Sequence, residues 1–510
     1  MERVSTLSTP DTPTHEVVVR RTRSSNACDA CRARKTKCIY EGAVCRTCHV
    51  LMISCTQDRP RKRRGPLNQF VAAQRRSPAI ENLANVPGLD SSNSVSPVAA
   101  TAATVVYGIH RLAPLPVIEQ IVHSWFEQIH SVAPFLHRRA FLTRLRSTEA
   151  TQDGTFAALV VSLCAATIAS LRRKSSQDYG TLVNPERCWE VIDEMNMHQM
   201  PRRHFTLEWC QMKYNLSVSN HLINDAQCFT SMSEAVIGIK YLIHYEMPNM
   251  TSASQELLKR LYWLVFAAGC SADLKGFPYV GLLTPQDNIS ALKPLELSDD
   301  ELDPSQNPDP YGPWHGNDRS YVPGLNYLSK LFLLWNQSQQ ESPPSIAGLQ
   351  HYMNLIKRAL DYLPPELIWR GGLSRPPQSN FGTCVQTANL YITQLHIQSN
   401  ILEQIIHLVG SSVVQETTLS LITDRKSIVE DLLEILYYMP QETLEANGSS
   451  LIPKIRDIGT ALFDDIRTGG EGQSLSKKAS DNLKRLLTKL ENLDAQSQFY
   501  LEMQPLSAIT

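Results

Sequence analysis

Six cysteines lie close together near the start of the chain, and their spacing constrains this region more than any other feature. They read C-x2-C-x6-C-x6-C-x2-C-x6-C, at Cys28, Cys31, Cys38, Cys45, Cys48 and Cys55. The last three repeat the spacing of the first three, which indicates two related halves. Because a tetrahedral zinc takes four ligands, one zinc would leave two thiolates idle, whereas two zincs are satisfied if two thiolates bridge them. The spacing therefore predicts two Zn2+ per chain.

Disulfide bonds are the alternative use of closely spaced cysteines. They persist in oxidising compartments, and no secretory signal pattern precedes these six residues. A chance arrangement would not produce two matching triads. We therefore expect all six cysteines to be metal ligands.

The charges around the cysteines differ between the two halves. The first half contains RARKTK, with four cations in six residues, whereas the second contains HVLMIS, with none. The segment from Arg20 to Arg64 contains thirteen Lys and Arg residues and three acidic residues, which gives it a net charge of +10. The whole chain has a net charge of −1. We expect a short helix beginning near Cys31, with Asp29 as its N-cap, to face a polyanion, while the second half packs. This asymmetry is typical of a protein with phosphate contacts at one end.

The run NACDACRARKTKC resembles the opening of the fungal Zn2Cys6 binuclear-cluster transcription factors. The resemblance implies that Cys28 and Cys45 bridge the metals, that Cys31 and Cys38 complete one zinc, and that Cys48 and Cys55 complete the other. It also implies double-stranded DNA as partner, with a CGG-like triplet read in the major groove. One departure is that IYEGAV, which joins the two halves, lacks the proline common in the family.

The resemblance also suggests which basic residues contact DNA. By position in the motif, Arg34 and Lys35 would read bases, since Arg and Lys suit guanine O6 and N7, and Arg32 and Lys37 would contact phosphates. After the cluster, DRPRKRRG supplies a basic run that fits backbone contact and nuclear import. The members of this run that we assign to DNA are Arg61, Lys62, Arg63 and Arg64.

The segment after the basic run lacks the heptads of a long coiled coil. Pro66, Pro78, Pro87 and Pro97 interrupt it, and only NQFVAAQRR could form a helical turn or two. From Asn82 to His110 the single charged residue is Asp90, which is typical of a flexible linker. If the protein forms a homodimer, we expect it to do so without a long coiled coil.

The remaining chain has helical patterns. Ile118, Ile121, Val122, Trp125 and Ile129 form one apolar stripe, as helical periodicity requires. Further stripes are predicted at Leu355, Ile356, Ala359, Leu360 and Leu363, and at Leu483, Leu486, Leu487 and Leu490. The uncharged run from Thr155 to Leu171 is too short and too diluted by small residues for a membrane span, so we expect a buried central helix and no membrane partner.

Three pieces of this body resemble the fungal transcription factor regulatory domain, or middle homology region. They are WFEQIHSVAPFLHRRAFL, with a turn at Pro134 between two helices, ELLKRLYWLVF, and MPQETLEANGSSLIPKIRDIGTALFDDI. Regulators of sugar utilisation and of secondary-metabolite gene clusters both have this organisation. The resemblance implies a regulatory body that acts on the transcription machinery, with a small-molecule effector as a further partner.

No catalytic motif was found in the body. It contains no G-x-S-x-G, no G-x-x-x-x-G-K-[ST] and no H-E-x-x-H, so we do not expect an enzyme. The later cysteines are scattered and suit an apolar core. His123, His130 and His137 recur every seven residues, but Pro134 interrupts the helix, which argues against a metal site. Tyr262 and Trp263 could line an effector pocket, although aromatic residues in an apolar helix are more often core.

We therefore predict a mostly α protein with five segments. These are a disordered N-terminus (1–19), a Zn2Cys6 DNA-binding domain with basic tail (20–66), a flexible linker (67–110), a helical regulatory domain (111–400) and a C-terminal helical region (401–510). The predicted function is a nuclear, sequence-specific DNA-binding regulator of genes transcribed by RNA polymerase II. The alternative is a helical small-molecule sensor whose cluster senses metal or redox state, which would not require RARKTK. A catalytic body with a DNA-binding head is disfavoured by the missing motifs.

Overall fold

The computed structural model describes most of the chain and divides it into two compact units, Met1–Val98 and Ala99–Thr510. The described residues are 27–34, 36, 38, 44–56, 108–171, 183–201, 203–220, 226–302, 319–371, 379–410, 415–468 and 473–493. They contain many helices and no β-strand. The predicted fold class, a small N-terminal cluster followed by a large helical body, is confirmed. Residues 57–107, which include most of the predicted linker, lie outside the described part.

The first unit contains two short helices, Asp29–Ala33 and Arg46–Val50. Each helix directly follows a cysteine, Cys28 or Cys45. The buried core of this unit consists of cysteine side chains. A unit with so little apolar surface depends on bound metal for its fold.

The second unit begins with helices that surround one buried helix. A 3-10 turn, Ile109–Arg111, precedes them. The α-helices of this half are Leu115–Gln128, Arg138–Arg146, Glu149–Gln152, Gly154–Ser170, Pro185–Glu194, Leu207–Asn220, Ala226–Tyr241, Ser252–Leu274, Ile289–Leu292 and Asp299–Leu302. A π turn, Leu242–Glu246, and a 3-10 turn, Met247–Asn249, follow Ala226–Tyr241.

The predicted central helix is confirmed as Gly154–Ser170. Asp153 caps it by accepting the backbone N–H groups of Thr155 and Phe156 at 2.9 and 3.2 Å. Every side chain from Phe156 to Ala169 is buried, and the helix packs against Leu207–Asn220 and Pro185–Glu194. Among the described residues, no helix has the length and apolar character needed to cross a membrane.

The rest of the second unit is arranged around a long helix, Phe381–Val409. The α-helices of this half are Val322–Ser338, Ile346–Lys357, Phe381–Val409, Gln415–Tyr438, Gln441–Ala446, Leu451–Thr468 and Gln473–Leu493, with 3-10 turns at Pro365–Leu367 and Gly448–Ser450. Asn380 and Thr383 form a capping box at the start of the long helix.

The long helix contacts two helices that precede it in sequence, Val322–Ser338 and Ile346–Lys357. It also contacts two helices that follow it, Gln415–Tyr438 and Leu451–Thr468. Residue 400, where we placed a boundary, lies within it. The predicted domain boundaries remain predictions.

The first apolar stripe is confirmed as a buried helical face. The second is wrong as a helical stripe, because Ile346–Lys357 ends before Ala359, Leu360 and Leu363, which are buried after the end of the helix. Two leucines of the predicted stripes are exposed. Leu355 is 40% exposed and Leu487 is 49% exposed. In Ile346–Lys357 the buried face is Leu349, Met353 and Ile356, and Leu355 lies about 100° around the helix from Ile356. Leu487 likewise lies about 100° around its helix from the buried Leu486.

Candidate zinc centre

The two short helices begin at equivalent cysteines. The backbone N–H of Cys31 donates to Cys28 Sγ at 3.4 Å, and that of Cys48 donates to Cys45 Sγ at 3.4 Å. Each helix therefore starts with a sulfur that takes the place of an N-cap oxygen. Asp29 lies in the first turn of its helix, so its predicted role as N-cap is wrong, because the cysteine before it accepts the N–H.

A second pair of hydrogen bonds repeats between the halves. Cys28 N–H donates to Cys38 Sγ at 3.5 Å, and Cys45 N–H donates to Cys55 Sγ at 3.5 Å. The repeated spacing in the sequence thus corresponds to a repeated pattern of backbone donors. Backbone N–H groups directed at sulfur stabilise thiolates, the form that binds metal.

The sulfur atoms of Cys28, Cys31, Cys45 and Cys48 all lie within 4.8 Å of one another. Cys28 Sγ is 3.7 Å from Cys45 Sγ and 3.5 Å from Cys48 Sγ, and Cys45 Sγ is 3.6 Å from Cys31 Sγ. Cys28 Sγ and Cys45 Sγ therefore each lie close to two sulfur atoms of the other half. Cys38 and Cys55 are half-buried and pack at the edge of this group.

The donor set fits a soft, divalent cation. None of the six cysteines forms a disulfide bond, and four of them are buried. The N–H of Cys31 lowers the pKa of Cys28, whereas burial raises the pKa of Cys48. Clustered buried thiolates require a positive charge among them, and zinc supplies that charge and crosslinks the chain.

The two ends of the cluster region are tied together. Asp29 N–H donates to Thr56 O at 2.9 Å, and the Thr56 hydroxyl donates to Asp29 Oδ2 at 3.4 Å. These contacts fix the start of the first helix against the residue after Cys55. The start of the first helix is therefore fixed both by the hydrogen bond to Cys28 Sγ and by the contacts with Thr56.

The structure describes only part of the predicted DNA-binding surface. Arg32 belongs to the first helix, and Arg34 is exposed directly after it. The other residues assigned to DNA lie outside the described residues, namely Lys35, Lys37, Arg61, Lys62, Arg63 and Arg64.

The second half of the cluster does not pack as we expected. Val50 is 70% exposed, Leu51 50% and Met52 95%. The five-residue helix Arg46–Val50 can bury only the face that carries Cys48, which leaves Leu51 and Met52 exposed, whereas Ile53 packs against the cysteine core. The sequence signal for this apolar surface was the uncharged run after Cys48, which we had assigned to packing.

The family model of the fungal Zn(2)-Cys(6) binuclear cluster domain matches residues 26–64. The chain carries a Zn2Cys6 domain. This domain type binds two zinc ions, and it is a DNA-binding domain of fungal transcription factors. The match to the Zn2Cys6 domain does not extend into the helical body. No curated protein and no solved structure gives a significant match to the chain.

Two of the three histidines spaced by seven residues make hydrogen bonds to the backbone of the helical body. His130 Nε2 lies 3.1 Å from Leu136 O in the core, and His137 Nδ1 accepts the N–H of Ala140 at the start of Arg138–Arg146. The turn at Pro134 lies between this helix and Leu115–Gln128, as predicted. Among the described residues, the group placed to hold a metal is the cysteine group.

Tyr262 and Trp263 belong to the core. Both are buried, the Tyr262 hydroxyl donates to Asp287 Oδ2 at 3.2 Å, and Trp263 Nε1–H donates to Leu292 O at 2.8 Å. For this pair, the interpretation as core residues is therefore correct, rather than the interpretation as the lining of an effector pocket.

Proposed function

We propose that this protein is a nuclear, sequence-specific transcription regulator that reads CGG-like triplets at genes transcribed by RNA polymerase II. The observation that carries the proposal is the Zn2Cys6 domain itself, matched over residues 26–64, together with the +10 charge between Arg20 and Arg64. A zinc-folded unit can present cations to a groove without a large hydrophobic core.

Within the cluster, we assign all six cysteines as zinc ligands, with Cys28 and Cys45 as the bridging ones. The assignment of the bridging pair is supported by the sulfur positions, since Cys28 Sγ and Cys45 Sγ each lie within 3.7 Å of two sulfur atoms of the other half. Cys31 and Cys38 would complete one zinc, and Cys48 and Cys55 the other. The edge positions of Cys38 and Cys55 are consistent with ligands that serve a single metal.

We assign base reading to Arg34 and Lys35 and phosphate contact to Arg32 and Lys37. The exposure of Arg34 at the end of the first helix supports its role. The basic run Arg61–Arg64 would add sequence-independent affinity that decreases with salt.

The helical body is proposed to be the regulatory domain that links DNA occupancy to the transcription machinery. Its order of helices behind the Zn2Cys6 domain, and the turn at Pro134, support the resemblance to the middle homology region. We expect a pathway-specific regulator of secondary metabolism or sugar utilisation, with an effector bound by the body. A homodimer, if formed, would associate through the body, because the segment with Pro66, Pro78, Pro87 and Pro97 does not support a coiled coil.

The test is equilibrium binding of the zinc-loaded full chain to fluorescent duplexes that differ only in a CGG triplet and its scramble. Lys35→Ala should reduce the discrimination between the duplexes by roughly 1–3 kcal/mol. Arg63→Ala should weaken both equally and flatten the salt dependence, while Lys330→Ala on the exposed surface of the body is the matched control.

Equal affinity of the wild-type protein for both duplexes would contradict sequence-specific reading. Identical behaviour of Lys35→Ala and Arg63→Ala would contradict the division between base and phosphate contacts. A protein whose cluster responds to metal or oxidant but binds neither duplex would instead favour the sensor interpretation.

A further inference from the structure

The second unit contains a cavity of about 320 Å3 that the sequence patterns did not reveal. Its walls come from several parts of the chain, and most are apolar. Representative wall residues are Trp125, Phe135, Met232, Leu264, Leu328 and Phe332. The volume lies at the lower end of the range for small-molecule sites, roughly 300–1,000 Å3.

The charged residues among the described lining are two lysines, Lys275 and Lys454. Lys454 is 4% exposed, and its Nζ donates to Asn389 Oδ1 at 3.1 Å and to Thr393 Oγ1 at 2.7 Å. Both of these acceptors are neutral. The cavity therefore holds positive charge on an apolar background.

An acidic group outside the cavity lining acts on Lys275. Asp457 acts electrostatically on Lys275, but its Oδ2 lies 2.8 Å from His396 Nε2, and it is not part of the cavity lining. Burial, and then the charge of Lys275, lower the pKa of Lys454 to about 7. Burial also lowers the pKa of Lys275. An anion in the cavity would favour the charged form of both lysines.

Another polar side chain of the lining, Asn447, has an unused acceptor. Asn447 is 6% exposed, and its Nδ2 donates to Val385 O and Thr443 O, each at 3.1 Å. These two carbonyls fix the orientation of the amide. Its Oδ1 is buried and has no hydrogen-bond partner among the described residues. Leaving a buried acceptor unpaired is costly, so an O–H or N–H donor in the cavity would be stabilising.

Part of the lining reaches the surface of the protein and is aromatic. Phe229 and Phe277 are each 41% exposed, and Tyr279 is 37% exposed, and all three belong to the lining. Exposed aromatic side chains at an opening suit the entry of an apolar molecule. The lining also includes serine and asparagine side chains, but its larger apolar share favours a mainly apolar molecule over a sugar phosphate or nucleotide.

We propose that this cavity binds a small, mainly apolar carboxylic acid that also carries a hydroxyl or N–H group. The carboxylate would lie against Lys275 and Lys454, and the donor would meet Asn447 Oδ1. The role of this ligand as an effector rests on the proposed regulatory function. The prediction that the cavity binds such an acid does not.

The test measures binding of a hydroxynaphthoate to the zinc-loaded full chain by its intrinsic fluorescence. Naphthoate, which lacks the hydroxyl, and naphthol, which lacks the carboxylate, are the matched probes. We expect saturable binding of one hydroxynaphthoate per chain. Naphthol should bind at least about tenfold more weakly, because a hydrogen bond to a charged group is lost.

Substitutions locate the site. Lys454→Met and Lys275→Met should each weaken hydroxynaphthoate about tenfold and leave naphthol unchanged. Lys330→Met is the control, because Lys330 is exposed on Val322–Ser338, the helix that contributes Leu328 and Phe332 to the cavity. Ala268→Phe, which places a ring in the cavity without removing charge, should exclude all three probes.

Thermal unfolding of each variant shows whether it is folded. If Lys454→Met is unfolded, Lys454→Arg replaces it. Because arginine keeps the charge, Lys454→Arg should still bind hydroxynaphthoate more tightly than naphthol. No binding of hydroxynaphthoate to the wild-type protein would overturn the proposal. Equal affinity of the wild-type protein and the two lysine variants would also overturn it. DNA binding by the same preparation is measured separately, so that failure of the cavity and failure of the DNA-binding function give different results.

Discussion

Arg260 offers a stringent test of the helical body, because its guanidinium is buried and connects three separate segments. It is 1% exposed. Its Nη1 donates to Pro134 O at 3.3 Å, and its Nη2 donates to Leu297 O at 2.8 Å. Asp299 Oδ1 lies 3.6 Å from Nη1. Arg260 thereby holds the turn at Pro134 and the segment before Asp299–Leu302 against Ser252–Leu274.

The cost of Arg260→Met follows from these partners. Two backbone carbonyls lose a donor, at roughly 1–3 kcal/mol each where they are buried. Removal of a buried charge offsets part of this loss, and burial indeed lowers the pKa of Arg260. In the variant, Asp299 Oδ2 would still accept the backbone N–H of Arg138, at 2.8 Å in the structure. We expect a net loss of about 3 kcal/mol in the free energy of unfolding.

Urea unfolding of the full chain, followed by tryptophan fluorescence, measures this loss. All seven tryptophans belong to the second unit, so the signal reports the body and not the Zn2Cys6 domain. Arg358→Met is the control, since Arg358 is 77% exposed and its pair with Asp361 spans 3.6 Å. Such a pair contributes at most about 1 kcal/mol.

Arg260→Lys separates charge from geometry. A lysine keeps the charge but lacks the planar fork that donates to two carbonyls at once, so it should lose nearly as much stability as Arg260→Met. Equal stability of Arg260→Met and Arg358→Met would refute this account of the segment. Full rescue by lysine would show that charge, rather than the two carbonyl contacts, is what matters.

Three further predictions concern the metal, the pH dependence and the assembly. Cys28→Ala and Cys45→Ala should each disturb both zinc sites, whereas Cys55→Ala should disturb one, as counted by metal analysis of the folded protein; equal zinc loss in all three would argue against bridging. Burial lowers the pKa of His130 to about 4, below its ordinary value of 6.5. The neutral side chain therefore contributes stability above pH 6.5 that is lost as the pH falls toward 4, up to about 3 kcal/mol. His130→Gln should flatten the difference in stability across this range, and an unchanged slope would remove His130 as its source. The zinc-loaded fragment 20–110 should sediment as a monomer and bind a single triplet, and a sharp optimum at one spacing of paired triplets would contradict this.

The cysteine spacing and the uncharged central run were strong enough to predict their structures. Six thiolates in two matching triads can satisfy zinc in few ways. The run from Thr155 to Leu171 is uncharged and mainly apolar, which favours burial or a membrane span, and its length of seventeen residues favours burial. In both cases a local pattern determines the result.

The features that escaped prediction depend on contacts between distant segments. Lys454 occurs in an amphipathic helix where a lysine ordinarily faces water, yet it is buried beside Asn389 and Thr393 from the long helix. Leu487 fits an apolar stripe but lies at the edge of the face that packs, and is 49% exposed. Sequence periodicity gives the face of a helix but not the width of its contact or the polar groups opposite it.

The most direct test of the central proposal is a genome-wide map of the DNA occupied by the tagged full-length protein in its own cells. The account predicts that occupied sites contain CGG-like triplets, cluster beside the genes of one pathway and disappear in Cys28→Ala. A map without triplet enrichment, or one that Cys28→Ala leaves unchanged, would contradict the proposal that the Zn2Cys6 domain reads DNA sequence.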